Sequence, residues 1–169
     1  VQDLVGEPIR NALLADDTSF HGMGREDIDV RCLGRGRPFV VEVKKPKIRT
    51  IDLEDIVEQI NKEGVGKIEI DSLRSSNRSE VARIKETKAE KSYRIRFEVH
   101  GEVPEDSETQ IANLAGAILE QRTPKRVVHR RSDLVRKRQI ISVENILIEN
   151  NEIQFDVRCQ SGTYVKEMI

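Results

Sequence analysis

The first candidates for chemistry in this sequence are carboxylates beside a Gly-punctuated turn. Asp27 follows Gly22, Met23, Gly24 and Arg25, a stretch that regular helix or strand does not tolerate. An Arg two residues away would hold the Asp27 carboxylate ionised at neutral pH, the state that a nucleophile or an electrostatic stabiliser requires. A turn Asp that caps a backbone amide is the alternative. Asp29 comes one alternation later and would share a face with Asp27 if the chain there is extended. A second constellation draws on the same region. Asp29 followed by Glu42 and Lys44 has the spacing of a D…ExK nuclease centre, in which carboxylates hold Mg²⁺ and the Lys steadies the attacking water. Short ExK triplets are also frequent by chance in a chain this rich in charge.

Rings that could stack on a base are few, since the chain has 2 Tyr, 4 Phe and no Trp. Tyr93 opens an alternating stretch directly after Lys91 and Ser92. Tyr164 lies within Ser161-Gly162-Thr163-Tyr164-Val165-Lys166, a Gly-containing turn that would bring the Lys166 cation to a strand end. Either Tyr would also suit a core position with its hydroxyl at the rim. His21, His100 and His129 share no ligand spacing, and no loop fits a P-loop or dinucleotide fingerprint. Cys32 and Cys159 have no CxxC spacing and sit in apolar stretches, which predicts two buried, reduced thiols in an intracellular protein.

The elements that must position these residues follow from periodicity. Residues 4–14 space their apolar groups as a short helix. Residues 28–33 and 39–44 alternate and flank Gly34-Arg35-Gly36-Arg37-Pro38, which predicts a β-hairpin. Residues 52–63 begin with Asp52 as N-cap and place Leu53, Ile56, Val57 and Ile60 on one stripe. A short strand over 67–70, a short helix over 80–85, a strand over 93–99 and a helix over 109–120 are expected next. Residues 139–148 and 153–159 then form a long hairpin about the turn 149–152. Hairpins dominate, no βαβ rhythm is present, and the fold class expected is α+β with a mixed, mostly antiparallel sheet and flanking helices. Residues 44–47 and 103–106 have the composition of linkers between lobes.

The chain has 169 residues, 29 Lys+Arg and 30 Asp+Glu, for a net charge of −1. That balance excludes a uniformly basic nucleic-acid binder and leaves a segregated one open. Residues 122–138 hold eight basic residues against Asp133, a sum of +7, and residues 31–49 hold seven against Glu42, a sum of +6. Solvated faces explain many such runs. Arg predominates in the later run, however, and its planar fork matches phosphate oxygens. Arg35, Arg37, Arg126, Arg130 and Arg131 are therefore candidate RNA contacts, and His129 among the last three belongs to the same RNA-facing loop. Nothing approaches 18 consecutive apolar residues, so no membrane-spanning helix is expected.

Several separated segments, in order, resemble the motifs of pseudouridine synthases. Gly22-Met23-Gly24-Arg25-Glu26-Asp27 is similar to the G-x-G-R-[TE]-D motif, Lys91-Ser92-Tyr93-Arg94 to the K-x-Y segment, and residues 157–166 to the third motif with its GTY core. The continuation through residue 39 and the stretch 122–131 resemble the archaeal-type pseudouridine synthase ten family in particular. The resemblance implies a central cleft and the isomerisation of adjacent uridines in the T arm of tRNA, without metal or small-molecule cofactor, in the cytoplasm. It implies that Asp27 is the nucleophile and that Arg25 fills the space left by the flipped base and contacts its phosphate. Tyr93 would stack on the uracil, Lys166 would pair with Asp27, and Tyr164 would help to hold the substrate. It also implies that residues 1–169 are a partial catalytic domain, lacking an N-terminal RNA-binding domain and the C-terminal end of the catalytic domain. Two other readings stay open: a Mg²⁺-dependent nuclease on Asp29, Glu42 and Lys44, and a non-catalytic RNA-binding module. The sequence leaves the oligomeric state open.

Overall fold

The computed structural model describes residues 1–27, 29–129 and 132–168, which fold as two compact units, Val1–Thr87 and Lys88–Ile169. The boundary falls at neither of the two expected linkers.

In the first unit, helix α1 (Gln2–Ala12) buries Val5 and Ile9. Helix α2 (Leu53–Glu63) starts where predicted: the Asp52 carboxylate accepts from the Glu54 and Asp55 amides at 2.8 and 3.2 Å, satisfying donors that the first turn leaves open. Ile56 and Ile60 face α1, and with Val5, Ile9 and Ile70 they form the unit's core. A two-stranded antiparallel ribbon of β1 (Asp17–Gly22) and β2 (Phe39–Lys44) packs against α1, with Phe20 and Phe39 stacked at 5.1 Å between ring centroids. Helix α3 (Arg78–Glu86) also packs on the ribbon.

The partner of β2 is therefore Asp17–Gly22, and the predicted hairpin of 28–33 with 39–44 does not form. Those alternating residues would need a layer to bury their apolar side. Instead Leu33 is 70% exposed and Cys32 is exposed, which also corrects the expectation of a buried thiol there. Cys159 is buried as expected. Residues 67–70 form no strand either. The Asn61 side chain replaces a strand partner, donating to the Ile70 carbonyl at 2.9 Å and accepting from its amide at 2.8 Å.

In the second unit, β3 (Lys91–Glu98), β4 (Ile118–Arg122), β5 (Val135–Glu149) and β6 (Glu152–Cys159) form an antiparallel sheet in the order β3-β6-β5-β4. Its core is Ile95, Ile140, Ile153, Phe155, Val157 and Cys159. The β5–β6 turn places Asn150 and Asn151 at φ 52° and 69°, the left-handed geometry that two-residue hairpin turns favour. The helix predicted over 109–120 is cut to α4 (Ser107–Ala112), because the chain turns at residues 113–116 and Ile118 and Leu119 join β4. The Gly116 amide and the Ala117 carbonyl there hydrogen-bond Ile140, docking the turn onto β5.

Candidate active site

Asp27 and Arg25 lie in the loop that joins β1 to β2. Gly24 takes φ 85°, which reverses the chain just before them and which a side chain would strain. The Met23 amide donates to the Pro38 carbonyl at 2.9 Å, so the two limbs of the loop meet at its base. Glu26 and Arg37 join the same limbs through an ion pair of 2.6 Å. The Asp27 carbonyl accepts from the Val30 amide at 3.1 Å and closes a turn directly after it. Asp27 is half-buried, whereas Arg25, Arg35 and most of the tip, residues 31–36, are exposed. Asp29 stands in this turn rather than on a strand opposite Glu42. The His21 imidazole contacts Glu42 at 3.2 Å, and Lys44 pairs with Asp17 at 2.7 Å, each holding the other's charged form. With Asp29 in a turn and Lys44 paired to Asp17, the D…ExK residues do not stand on paired strands as that reading expects.

Tyr93, Tyr164 and Lys166 belong to the second unit. Tyr93 sits opposite Val157 near the start of β3 and packs against the core cluster. A 3-10 turn over Val165–Met168 lays Val165 and Met168 on that same cluster, leaving Lys166 exposed between them. Tyr93 and the Lys166 turn thus share one apolar base. Gly162 adopts φ 84°, and a Cβ there would stand 3.3 Å from the Arg138 guanidinium, so that only glycine fits without strain or displacement. Gln121, on β4 and 7% exposed, gives both ends of its amide to Tyr164: its Nε2 donates to the Tyr164 carbonyl at 3.0 Å and its Oε1 accepts from the Tyr164 amide at 2.9 Å. Sequence reading missed Gln121, since nothing local marks a glutamine whose partner lies 43 residues away.

The basic stretch after β4 starts from another buried group. The Thr123 hydroxyl donates to the Ser132 carbonyl at 2.8 Å and accepts from Arg136 at 2.8 Å, while its amide donates to the Leu134 carbonyl. Arg122 makes two bonds to Asp133, at 2.9 and 2.7 Å, which hold the Asp133 carboxyl below its ordinary range. Arg126 pairs with Glu167, the neighbour of Lys166, and His129 is exposed. Arg130 and Arg131 lie outside the described residues. Asp27 and Arg25 belong to one unit and the other site residues from Tyr93 onward to the second, so each set stands as described within its own unit.

A family model described as "Pus10, C-terminal" matches residues 1–169. The chain belongs to the Pus10 C-terminal family. Among curated relatives it is 41% identical over 171 residues to the tRNA pseudouridine synthase Pus10 of Korarchaeum cryptofilum, covering 100% of this chain and 46% of the relative. To the Pus10 of Methanothrix thermoacetophila it is 44% identical over 170 residues, covering 100% of this chain and 37% of that protein. The chain thus spans less than half the length of these Pus10 relatives. A chain in the crystal structure of a Cbf5-Nop10-Gar1 complex is similar in fold, with a TM-score of 0.55 at 21% identity over 95% of this chain and 36% of that one. The α+β class with antiparallel sheets, expected from the sequence, is the fold this Pus10 C-terminal region adopts. Among the described residues, no helix is long and apolar enough to cross a membrane.

Proposed function

We propose that this chain is a partial catalytic domain of a cytoplasmic tRNA pseudouridine synthase acting on uridines of the T arm. The observation that carries the reading is the match over the whole chain to a family whose curated members bear the name tRNA pseudouridine synthase. The Asp27 loop supports it, because a half-buried carboxylate in a loop closed at its base is a fixed group of the kind covalent chemistry needs.

In the proposed reaction the target uridine is extruded from the T-arm stack, at an unstacking cost of a few kcal/mol. The Asp27 carboxylate then acts at the sugar, either adding to C1′ or initiating glycosidic cleavage. The C1′–N1 bond breaks with its electron pair passing to the uracil, the uracil turns, and C5 bonds to C1′, releasing the Asp27 carboxylate with its electron pair where it has added there. The C5 proton is lost and N1 takes up a proton, so the product is an isomer of the substrate with no net oxidation. Tyr93 stacks on the uracil, Arg25 occupies the vacated space and contacts phosphate, and Lys166 supplies a cation to balance the nucleophile. Tyr164, the exposed Arg35, Arg126 and His129, and with them Arg130 and Arg131, hold the tRNA backbone.

Full-length protein incubated with tRNA carrying tritium at C5 of its T-arm uridines, without added metal, should release tritium. Asp27→Asn should lower the rate by at least about a thousandfold, as loss of a covalent nucleophile does. Strand cleavage abolished by EDTA, or undiminished release from Asp27→Asn, would overturn the assignment.

A further inference from the structure

We propose that Glu26 and Arg37 are a positioning pair: their ion pair locks the loop that carries Asp27, and Arg37 acts through Glu26 rather than by contacting RNA phosphate. The inference rests on the proposed role of Asp27 as the nucleophile. Glu26 directly precedes Asp27, and Arg37 lies two residues before the first residue of β2. Their 2.6 Å contact therefore ties the outgoing limb of the loop, at the reactive residue, to a limb already fixed by the ribbon. The Met23–Pro38 backbone bond makes the same closure one residue from Arg37, so backbone and side chains shut the loop together.

Shelter separates this pair from the surface pairs of the same protein. The side chains of Arg37 and Glu26 are 28% and 17% exposed, against 85% and 59% for Lys45 and Asp16 and 74% and 62% for Lys137 and Glu120. Water and salt screen an exposed pair almost completely and a sheltered one much less. An Arg whose fork is turned inward onto a carboxylate is also poorly placed to grip phosphate. The exposed Arg35 at the tip, between Gly34 and Gly36, is the better cation for that task. Placement of a nucleophile is demanding, and an error of about 1 Å can cost on the order of a hundredfold in rate.

The test is a charge swap in the full-length protein, read by single-turnover tritium release, by tRNA affinity as a function of salt, and by hydrogen exchange at the Met23 amide. Arg37→Glu and Glu26→Arg alone should each slow release by at least about tenfold and speed Met23 exchange. Affinity for tRNA should stay within about twofold and its salt slope should not change. The double variant E26R/R37E should recover most of the rate and the protection. An Arg37→Glu protein whose salt slope falls by about one, with no rescue in the double variant, would make Arg37 a phosphate contact and overturn the proposal. Unchanged Met23 exchange in both single variants would overturn it as well. Absence of tritium release from the wild-type protein would instead overturn the proposed activity, while the exchange measurement decides the loop closure independently.

Discussion

Gln121 commits both ends of its amide to one backbone residue, Tyr164. Its environment is closed to solvent, so Leu in its place would leave the Tyr164 amide and carbonyl without partners. Gln121→Leu should cost about 1–3 kcal/mol in urea unfolding, the desolvation cost of stranded polar groups. An unchanged midpoint would mean that water reaches Tyr164 directly. The residues proposed for the chemistry can be picked out in the sequence because each stands inside a short pattern: Asp27 after Gly24-Arg25-Glu26, Tyr93 after Lys91-Ser92, Lys166 after Gly162-Thr163-Tyr164. The residues that hold them cannot. Gln121 and Thr123 act on partners that only the folded sheet brings near, and neither has a local signature.

Strands with strict alternation, or bounded by strong turns, were the readable elements. β3 and the β5–β6 hairpin follow their pattern because one face of the sheet is buried and a slip of one residue would expose it. Residues 28–33 carry the same alternation, yet Cys32 and Leu33 are exposed, and 109–120 keep helical spacing into what becomes β4. Periodicity states what a segment could bury, and tertiary context decides whether it does. On the outer face of this sheet, Asp156 receives two bonds from Arg94, at 2.8 and 2.9 Å, and one from Asn145. The Arg94 guanidinium, aided by the Asn145 amide, pulls the Asp156 carboxyl from 3.8 down to about 2. A carboxyl whose pKa is lower when folded contributes stability above its unfolded pKa and loses it as pH falls through the folded one. Asp156→Asn should therefore cost about 1 kcal/mol at pH 7, allowing for solvent screening at a partly exposed site. The gap from wild type should close as the pH is taken from about 4 to about 2, followed by chemical denaturation. A gap that is constant across that range would show that hydrogen-bond shape matters there and charge does not.

Across the whole chain, the sequence pointed to its linkers at the wrong places. The units divide between Thr87 and Lys88, where no Pro or Gly stands, because each unit closes around its own apolar cluster rather than at a composition break. The net charge of −1 is likewise an average over basic loops and acidic helix surface such as Asp55, Glu58 and Glu63 of α2. Cations that contact phosphate release counterions whatever the net charge of the chain. Raising monovalent salt from about 50 to about 200 mM should weaken tRNA binding at least about tenfold, measured by fluorescence anisotropy on the full-length protein. Affinity indifferent to salt would remove phosphate contact from both basic runs.

β5 consists of two ladders end to end: Val135 to Gln139 pair with β4, and from Ile140 onward the strand pairs with β6. One unbroken strand therefore joins the basic loop to the sheet's core. Thr123 ties the start of the basic loop to its end, bonding the Ser132 and Leu134 carbonyls just before β5 begins. A single residue inserted near Gln139 would turn Arg136 and Arg138 from the face of Gln121 to the opposite face unless a bulge took it up, as the register shift between Ile140 and Ser142 already does for one residue. The face that Arg136 and Arg138 present is thus set by the residue count of β5 where its two ladders meet.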